Sequence, residues 1–254
     1  MTGRNPGDWD ASTYDKISDP MTRWGTGVLG RLQLAGDETV LDAGCGSGRV
    51  TEQLLERLPR GRVIGLDAAP SMLEEARRRL APFGTRLSLV EADLLDLSPD
   101  TLGGWAPVDA VLSTATFHWV LDHDRLFANL ASVMRPGAAL EAQCGAHGNI
   151  ERLLAAVRKV GGERKGTWMY ATPEDTRRRL EQSGFTDIEV WTHPEPTPID
   201  PGEPLETYLA TVCLRAHVAD MDDEARHDFL SKVVAAMDEP VIDYVRLNIS
   251  ARRR

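Results

Sequence analysis

The nine residues Val40-Leu41-Asp42-Ala43-Gly44-Cys45-Gly46-Ser47-Gly48 decide the fold of this chain. They take a short apolar strand, Thr39–Ala43, into a glycine-rich turn, and a helix is predicted directly afterwards, from about Arg49 to Leu58. Glycine tolerates φ angles that other residues avoid and carries no side chain, so such a turn can bring its backbone against a ligand. Dinucleotide sites use GxGxxG, whose third glycine would fall where this chain has Arg49. An acid followed by GxGxG instead suits a ligand without a pyrophosphate.

The same strand-and-helix unit recurs after the glycine-rich turn. Further strands are predicted at Val63–Leu66, Leu87–Glu91, Asp109–Ser113 and Ala138–Gln143, and helices at Pro70–Leu80 and Asp124–Met134. Strands that alternate with helices of roughly ten residues indicate βαβ units and a parallel sheet covered on both faces. The predicted fold class is therefore α/β, with a doubly wound and mostly parallel sheet.

The flanking parts of the chain complete the prediction. Helical patterns occur at Tyr14–Leu34 (interrupted by Pro20), Ile150–Val160, Pro173–Ser183, Leu205–Val218 and Asp222–Met237, and strand patterns at Thr186–Thr192 and Tyr244–Ala251. The last strand alternates apolar with polar residues and is expected to be half-exposed. The sheet then has seven strands. We expect an N-terminal arm and helix at 1–34, a cofactor-binding core at 35–145, and a remainder at 146–254 with a helical substrate cap at about 194–240.

Composition limits the partners. The chain has 254 residues, a net charge of −10 and a pI of about 5.1. Nucleic acids and anionic membranes are therefore not expected as partners, because both are bound by clustered Lys and Arg. An anionic small substrate stays open, since a pocket on an acidic protein can be locally positive. The three cysteines are far apart, the histidines lack metal-site spacing, and the N-terminus lacks a signal peptide, which together predict a cytoplasmic protein without disulfides or metal. The oligomeric state stays open.

Acidic residues follow the second and third predicted strands. Asp67 ends the second strand, 23 residues after Gly44, close to the roughly 20 expected for an acid that accepts hydrogen bonds from ribose hydroxyls. Asp93, in Glu91-Ala92-Asp93-Leu94, ends the third strand, where a carboxylate can accept from an adenine amino group.

Together these features resemble the class I S-adenosylmethionine methyltransferases, over most of the chain. In that family the DxGxGxG turn holds the methionine moiety, the acid after strand two binds ribose, and the acid after strand three approaches the adenine amino group. The resemblance implies S-adenosylmethionine as cofactor and S-adenosylhomocysteine as product. The residues it implies at the cofactor site are Asp42, Gly44, Cys45, Gly46, Gly48, Asp67, Ala68, Met72, Asp93, Leu94 and Thr114.

Narrower matches are similar to the trans-aconitate methyltransferase group. They are Trp9-Asp10, Tyr14 and Arg23, then Phe117-His118-Trp119-Val120, and the helical insertion before a last strand ending in Ala251-Arg252. In that group an N-terminal arm folds over the cofactor, which implies Tyr14 and Arg23 at its methionine end. An Arg suits the methionine carboxylate as a bidentate donor, and a solvated helix Arg is the alternative. The group often carries Gln where this chain has His118.

His118 and Trp119 follow strand four, at the sheet edge where ligands bind, and are the candidate substrate-binding residues. His118 is also the candidate catalytic residue as a general base; the alternatives are a pocket-wall residue that hydrogen-bonds ligand, and a structural His. A carboxylate nucleophile needs no base at neutral pH, so we expect O-methylation of a small-molecule carboxylate or hydroxyl. The alternatives are N- or C-methylation of a metabolite, and a non-catalytic cofactor-binding regulator on the same fold.

Overall fold

The computed structural model of the chain describes residues 19–163 and 168–254. The strands are β1 (Thr39–Ala43), β2 (Arg62–Asp67), β3 (Leu87–Glu91), β4 (Val108–Thr114), β5 (Met134–Gly145), β6 (Phe185–Pro198) and β7 (Val241–Arg253). The helices are α1 (Asp19–Leu29), α2 (Arg49–Glu56), α3 (Pro70–Leu80), α4 (His123–Val133), α5 (Glu151–Lys159), α6 (Pro173–Gln182), α7 (Glu203–Tyr208), α8 (Arg215–Val218) and α9 (Asp223–Ala236). The part of the first predicted helix before residue 19 lies outside the described residues.

All seven strands form one sheet in the order β3-β2-β1-β4-β5-β7-β6. The first five strands are parallel, and β7 runs antiparallel between β5 and β6. This confirms the doubly wound, mostly parallel α/β fold. The strand order reverses between β1 and β4, so the loops that follow these two strands diverge and leave a crevice at their carboxyl ends.

Helices cover both faces of the sheet. Successive side chains of a strand point to opposite faces of the sheet, so neighbouring residues pack into different apolar clusters. Val40 packs with Leu54 and Leu80 from α2 and α3, whereas Leu41 belongs to the cluster that contains Phe127 of α4. The interior strands are therefore buried on both sides, which explains their nearly continuous apolar sequences.

The sixth strand differs from the prediction. The strand was predicted over Thr186–Thr192, but β6 continues to Pro198, and Pro194, Pro196 and Pro198 all pair with β7. Proline is tolerated on an edge strand where the missing N–H would face away from the neighbour, and three prolines at alternate positions meet that condition. The helical segment consequently begins at Glu203, and the predicted cap boundary near 194 is wrong.

The seventh strand also differs from the prediction. Tyr244–Ala251 was expected to be half-exposed, yet Tyr244, Arg246 and Asn248 are all buried. Helices pack over the strand: Tyr244 belongs to an apolar cluster that includes Trp24 of α1 and Leu205 of α7. The polar residues Arg246 and Asn248 of β7 therefore lie inside the protein.

The segment between β6 and β7 is helical. The single helix predicted over Leu205–Val218 is divided into α7, a π-helical turn at Leu209–Cys213, and α8. The helix α9 matches its prediction closely, and Asp222 caps it by accepting a hydrogen bond from the Ala225 N–H. None of the helices within the described ranges is both long and apolar enough to cross a membrane.

Candidate active site

A cavity of about 160 Å³ lies at the carboxyl ends of β1, β2 and β4. Ten sequence-predicted residues line it: Gly44, Cys45, Gly46, Asp67, Ala68, Met72, Asp93, Leu94, Thr114 and Trp119. Residues that the sequence did not single out also line it: Met21, Thr22, Ser47, Arg49, Val50, Leu95, Ala115, Thr116 and Val120. We call this space the first cavity.

The glycine-rich turn forms one wall of the first cavity. Gly44 and Gly46 have φ angles of +86° and +53°, a region that favours glycine. A Cβ on Gly44 would lie 2.2 Å from Oγ1 of Thr116, whereas a Cβ on Gly46 would meet no atom within 4 Å. The backbone beside Gly46 therefore borders open space, as a cradle for a ligand requires. Gly48 does not line the cavity; it packs against Leu80, whose Cδ1 a Cβ would approach to 2.9 Å.

Asp67 joins the turn to the start of α3. Its Oδ2 accepts from the Gly46 N–H at 2.8 Å, and its Oδ1 accepts from the Ala69 N–H at 2.9 Å. Burial raises the pKa of the Asp67 carboxyl, and the backbone hydrogen bonds oppose that rise. Each oxygen keeps a further acceptor site, so the carboxylate can still bind hydroxyl groups in the first cavity.

Asp42 lies beneath the turn and does not line the cavity. Its Oδ2 accepts from Oγ1 of Thr51 at 2.7 Å, while its Oδ1 is buried without a hydrogen-bond partner among the described residues. Burial raises the pKa of Asp42 to about 7, against the smaller effect of the Thr51 hydrogen bond. Asp42 therefore supports the turn rather than forming a ligand surface.

The N-terminal predictions have a mixed outcome. Tyr14 lies outside the described residues, as do Trp9 and Asp10. Arg23 does not line the cavity: its side chain is 70% exposed, and its Nη2 lies 3.5 Å from Oε1 of Glu195. The helix α1 turns Met21 and Thr22 toward the cavity and Arg23 toward β6. The structure therefore gives Arg23 a surface ion pair, as the solvated-helix alternative expected.

A smaller second cavity, of about 50 Å³, adjoins the first. The two cavities share Met21, Ala115 and Trp119. The other lining residues are Trp24, His118, Asn149, Ile150, Trp168, Tyr170, Val212, Cys213, Tyr244 and Arg246. Val212 and Cys213 come from the helical segment between β6 and β7, so this segment contributes to the wall.

His118 is buried in the second cavity. Its Nδ1 accepts from the Gly145 N–H at 3.4 Å, and its ring stacks on Tyr170 with 5.9 Å between centroids. Burial, aided by the positive charge of Arg246, lowers the pKa of His118 well below its usual value. A neutral imidazole that accepts at Nδ1 carries its proton on Nε2. The geometry thus favours His118 as a hydrogen-bond donor in the pocket wall over the general base.

Sequence reasoning missed the aromatic side of the second cavity. Trp168 and Tyr170 stack with 5.8 Å between centroids and an interplanar angle of 7°, and Trp119 lies 6.1 Å from Trp168. Trp168 and Tyr170 precede α6 and belong to no motif. They reach the site because they lie beside the loop after β4. The Met169 N–H holds them there by donating to the His118 carbonyl at 2.8 Å.

Comparison with known proteins assigns the family. A methyltransferase domain profile matches residues 40–137, which span the glycine-rich turn and both acids. Trans-aconitate 2-methyltransferase of Methylobacterium nodulans is 30% identical over 97% of this chain and 98% of its own length. The chain belongs to the trans-aconitate methyltransferase family. It is therefore an S-adenosylmethionine-dependent methyltransferase, and the recognition made from sequence is confirmed.

Solved structures agree on the fold of this methyltransferase. Phosphoethanolamine N-methyltransferase 2 of Haemonchus contortus, in complex with phosphomonomethylethanolamine and S-adenosylhomocysteine, superposes with a TM-score of 0.63. It is 19% identical, and the match covers 96% of this chain and 56% of the other. A [4+2]-cyclase superposes with a TM-score of 0.59 at 16% identity, over 91% of this chain and 81% of its own. The fold alone thus does not specify the reaction.

Proposed function

We propose that this methyltransferase transfers a methyl group to a carboxylate oxygen of a small acid bound in the second cavity. The observation that carries the proposal is the state of His118, the candidate base of that cavity, whose Nδ1 already accepts a hydrogen bond from the Gly145 N–H. Burial lowers the pKa of His118, raises the pKa of Cys213 to about 12, and raises the pKa of Tyr244 well above its usual value. An acceptor must then be nucleophilic without losing a proton, and a carboxylate is already ionised at neutral pH.

The cofactor is assigned to the first cavity. The Gly44–Gly46 turn would hold its methionine part, Asp67 its ribose, and Asp93 its adenine amino group, with Ala68 and Met72 beside the ring. The open space beside Gly46 and the free acceptor sites of Asp67 fit this ligand. When bound, S-adenosylmethionine supplies a methyl group made electrophilic by the adjacent sulfonium.

The chain's own residues would act by holding the acceptor in line with the cofactor. Met21, Ala115 and Trp119 border both cavities, so an acceptor in the second cavity faces the first. Trp119 and Tyr170 exclude water from the approach, and Nε2 of His118 can donate to an acceptor oxygen. Holding two reactants in one geometry is itself worth several orders of magnitude in rate. We infer that alignment and exclusion of water provide most of the catalysis.

The relatives suggest the first acceptor to test. The Methylobacterium nodulans protein is named for trans-aconitate, a small acid whose carboxylates are nucleophiles of the proposed kind. The net charge of −10 and the helical segment that lines the second cavity favour a small-molecule partner over nucleic acid, and a cytoplasmic location accompanies this proposal.

A labelled-methyl assay tests the proposal. Purified chain is incubated with S-adenosylmethionine carrying a labelled methyl group and a panel of small mono-, di- and tricarboxylic acids that includes trans-aconitate. We expect one S-adenosylhomocysteine per labelled product and complete release of the label as methanol by mild alkali, because the product is an ester. A product whose label resists alkali would indicate methylation of a hydroxyl, a nitrogen or a carbon and reject the proposal. Cofactor binding without turnover of any acid would do the same.

The ribose assignment gives a second prediction. Asp67→Ala is expected to weaken S-adenosylhomocysteine binding by about 1–3 kcal/mol, since charge-assisted hydrogen bonds are lost. Glu91→Ala is the matched control, because Glu91 pairs in register with Asp67 but is exposed and does not line the first cavity. Calorimetric titration measures both affinities. Equal affinities of the two variants would remove Asp67 from the cofactor site.

A further inference from the structure

We propose that Arg246 is the specificity-determining residue of the second cavity and binds a carboxylate of the acceptor other than the one that is methylated. The inference rests on the proposed function and narrows it to acids with at least two carboxylates. A guanidinium that binds a carboxylate through two hydrogen bonds occupies the oxygen lone pairs, so that carboxylate is a poor nucleophile. The carboxylate on Arg246 is therefore an anchor, and the nucleophile is a second one nearer Met21, Ala115 and Trp119.

Arg246 is a buried cation with no carboxylate partner among the described residues. It is 3% exposed, and it has no ion pair within residues 19–163 and 168–254. The groups that influence it electrostatically are Cys144, Tyr244, Tyr170 and Tyr208, none of which is a carboxylate. Burying a charge without a partner is costly, whereas a bound anion removes most of that cost. The positive charge of Arg246 is thus available to bind an anion inside the cavity.

Two contacts hold the guanidinium in place. Its Nε donates to Oε1 of Gln143 at 3.3 Å, and its Cζ lies 4.5 Å from the ring centre of Trp24. Gln143 is fixed in turn by donating to Oδ1 of Asn248 at 3.0 Å, an oxygen that also accepts from Arg31 at 2.8 Å. Neither terminal nitrogen of Arg246 makes a hydrogen bond to a described residue. These two nitrogens form the fork that matches a carboxylate.

The walls around Arg246 strengthen such a pair. Trp24, Tyr170 and Tyr244 surround the cavity with aromatic surface, and Tyr244 meets Trp24 edge to face at 5.1 Å. An ion pair in surroundings of low polarity is stronger than one in water. A donor already fixed by Gln143 and Trp24 loses little conformational freedom when it binds. An acid with a single carboxylate would leave this donor unpaired and is disfavoured.

The experiment compares how wild type and Arg246 variants bind and methylate acids that carry one or several carboxylates. In the presence of S-adenosylhomocysteine, trans-aconitate is titrated calorimetrically into wild type, Arg246→Gln and Arg246→Lys. We expect Arg246→Gln to weaken trans-aconitate binding by about 10- to 100-fold, the loss typical of a charge-assisted pair. Arg246→Lys should recover part of it, because lysine keeps the charge but not the fork. The affinity for S-adenosylhomocysteine should stay within about twofold in both variants. Crotonate, which has one carboxylate, should be methylated equally poorly by all three proteins.

Arg62→Gln is the matched control. It removes another arginine that stacks on a tryptophan, Trp105 at 4.6 Å, away from both cavities, and should leave trans-aconitate binding unchanged. Unchanged trans-aconitate affinity in Arg246→Gln overturns the inference and leaves the proposed function standing. Loss of cofactor binding in both Arg246 variants assigns Arg246 a structural role and also overturns it. If wild type binds and methylates no acid, the proposed function fails, and this inference fails with it.

Discussion

Gly44→Ala is expected to abolish cofactor binding and to destabilise the protein by about 2–4 kcal/mol. The φ angle of +86° already penalises any residue with a side chain, and the new Cβ would lie 2.2 Å from Oγ1 and 2.3 Å from Cγ2 of Thr116. Thr116 is not free to move away, because its hydroxyl donates to the Thr114 carbonyl at 2.9 Å and shares the same proton with the Gly44 carbonyl at 3.2 Å. The turn must shift, and with it the wall of the first cavity. Chemical denaturation and titration with S-adenosylhomocysteine measure the two effects.

Two further variants separate the steric cost from the cost of the backbone angle. Gly137 has a φ of +81°, is exposed, and has no atom within 4 Å of a built Cβ, so Gly137→Ala carries the angular cost alone. Thr116→Gly removes the side chain that Gly44→Ala would meet, and the double variant should therefore recover the steric part. If Gly44→Ala is no less stable than Gly137→Ala, the close approach of Gly44 to Thr116 is wrong.

Local pattern was enough to predict which residues come together around the first cavity, the proposed cofactor site. The strand, the glycine-rich turn and the following helix are one continuous segment, and Asp67 and Asp93 follow from the ends of strands that lie next to it in a parallel sheet. Ligand contacts built from contiguous βα units depend on spacing, which a sequence displays directly. Nine of the predicted cofactor residues consequently line the first cavity, whereas Asp42 and Gly48 support the turn from behind.

The substrate side could not be predicted in the same way. The second cavity collects residues from α1, the loop before α6, the helical segment and β7, which are far apart in sequence. Arg246 lies in a strand whose alternation looked like that of an exposed surface, and only the helices packed over β7 make it internal. The prolines of β6 were misleading for a related reason, because the sequence does not state which strand is at the edge. Such features depend on tertiary packing.

Asp42 is expected to make a stabilising contribution that is lost as the pH rises from about 4 to about 7, and Asp42→Asn should remove this dependence. Asp42 has a folded pKa of about 7, whereas an unfolded aspartate titrates near 3.9. Between these values the folded state holds a proton that the unfolded state has lost, so each pH unit favours unfolding. The contribution of Asp42 is thus present below pH 4 and lost by pH 7, an effect on the order of 4 kcal/mol.

The quantity to measure is the difference in the free energy of unfolding between Asp42→Asn and wild type, from denaturant titrations at each pH unit from 4 to 8. An amide does not titrate, so the variant should gain on wild type steadily up to pH 7 and level off above it. His118 and His123 have lowered pKa values and act in the opposite sense, destabilising the fold as the pH falls, but they are present in both proteins and largely cancel. The Asn side chain keeps an oxygen that accepts from Thr51. Any loss of packing would change the free energy of unfolding by the same amount at every pH and would leave its pH dependence intact. A difference that stays flat across this range would mean that the carboxyl beneath the turn is ionised throughout, and that solvent or another group reaches its unpaired oxygen.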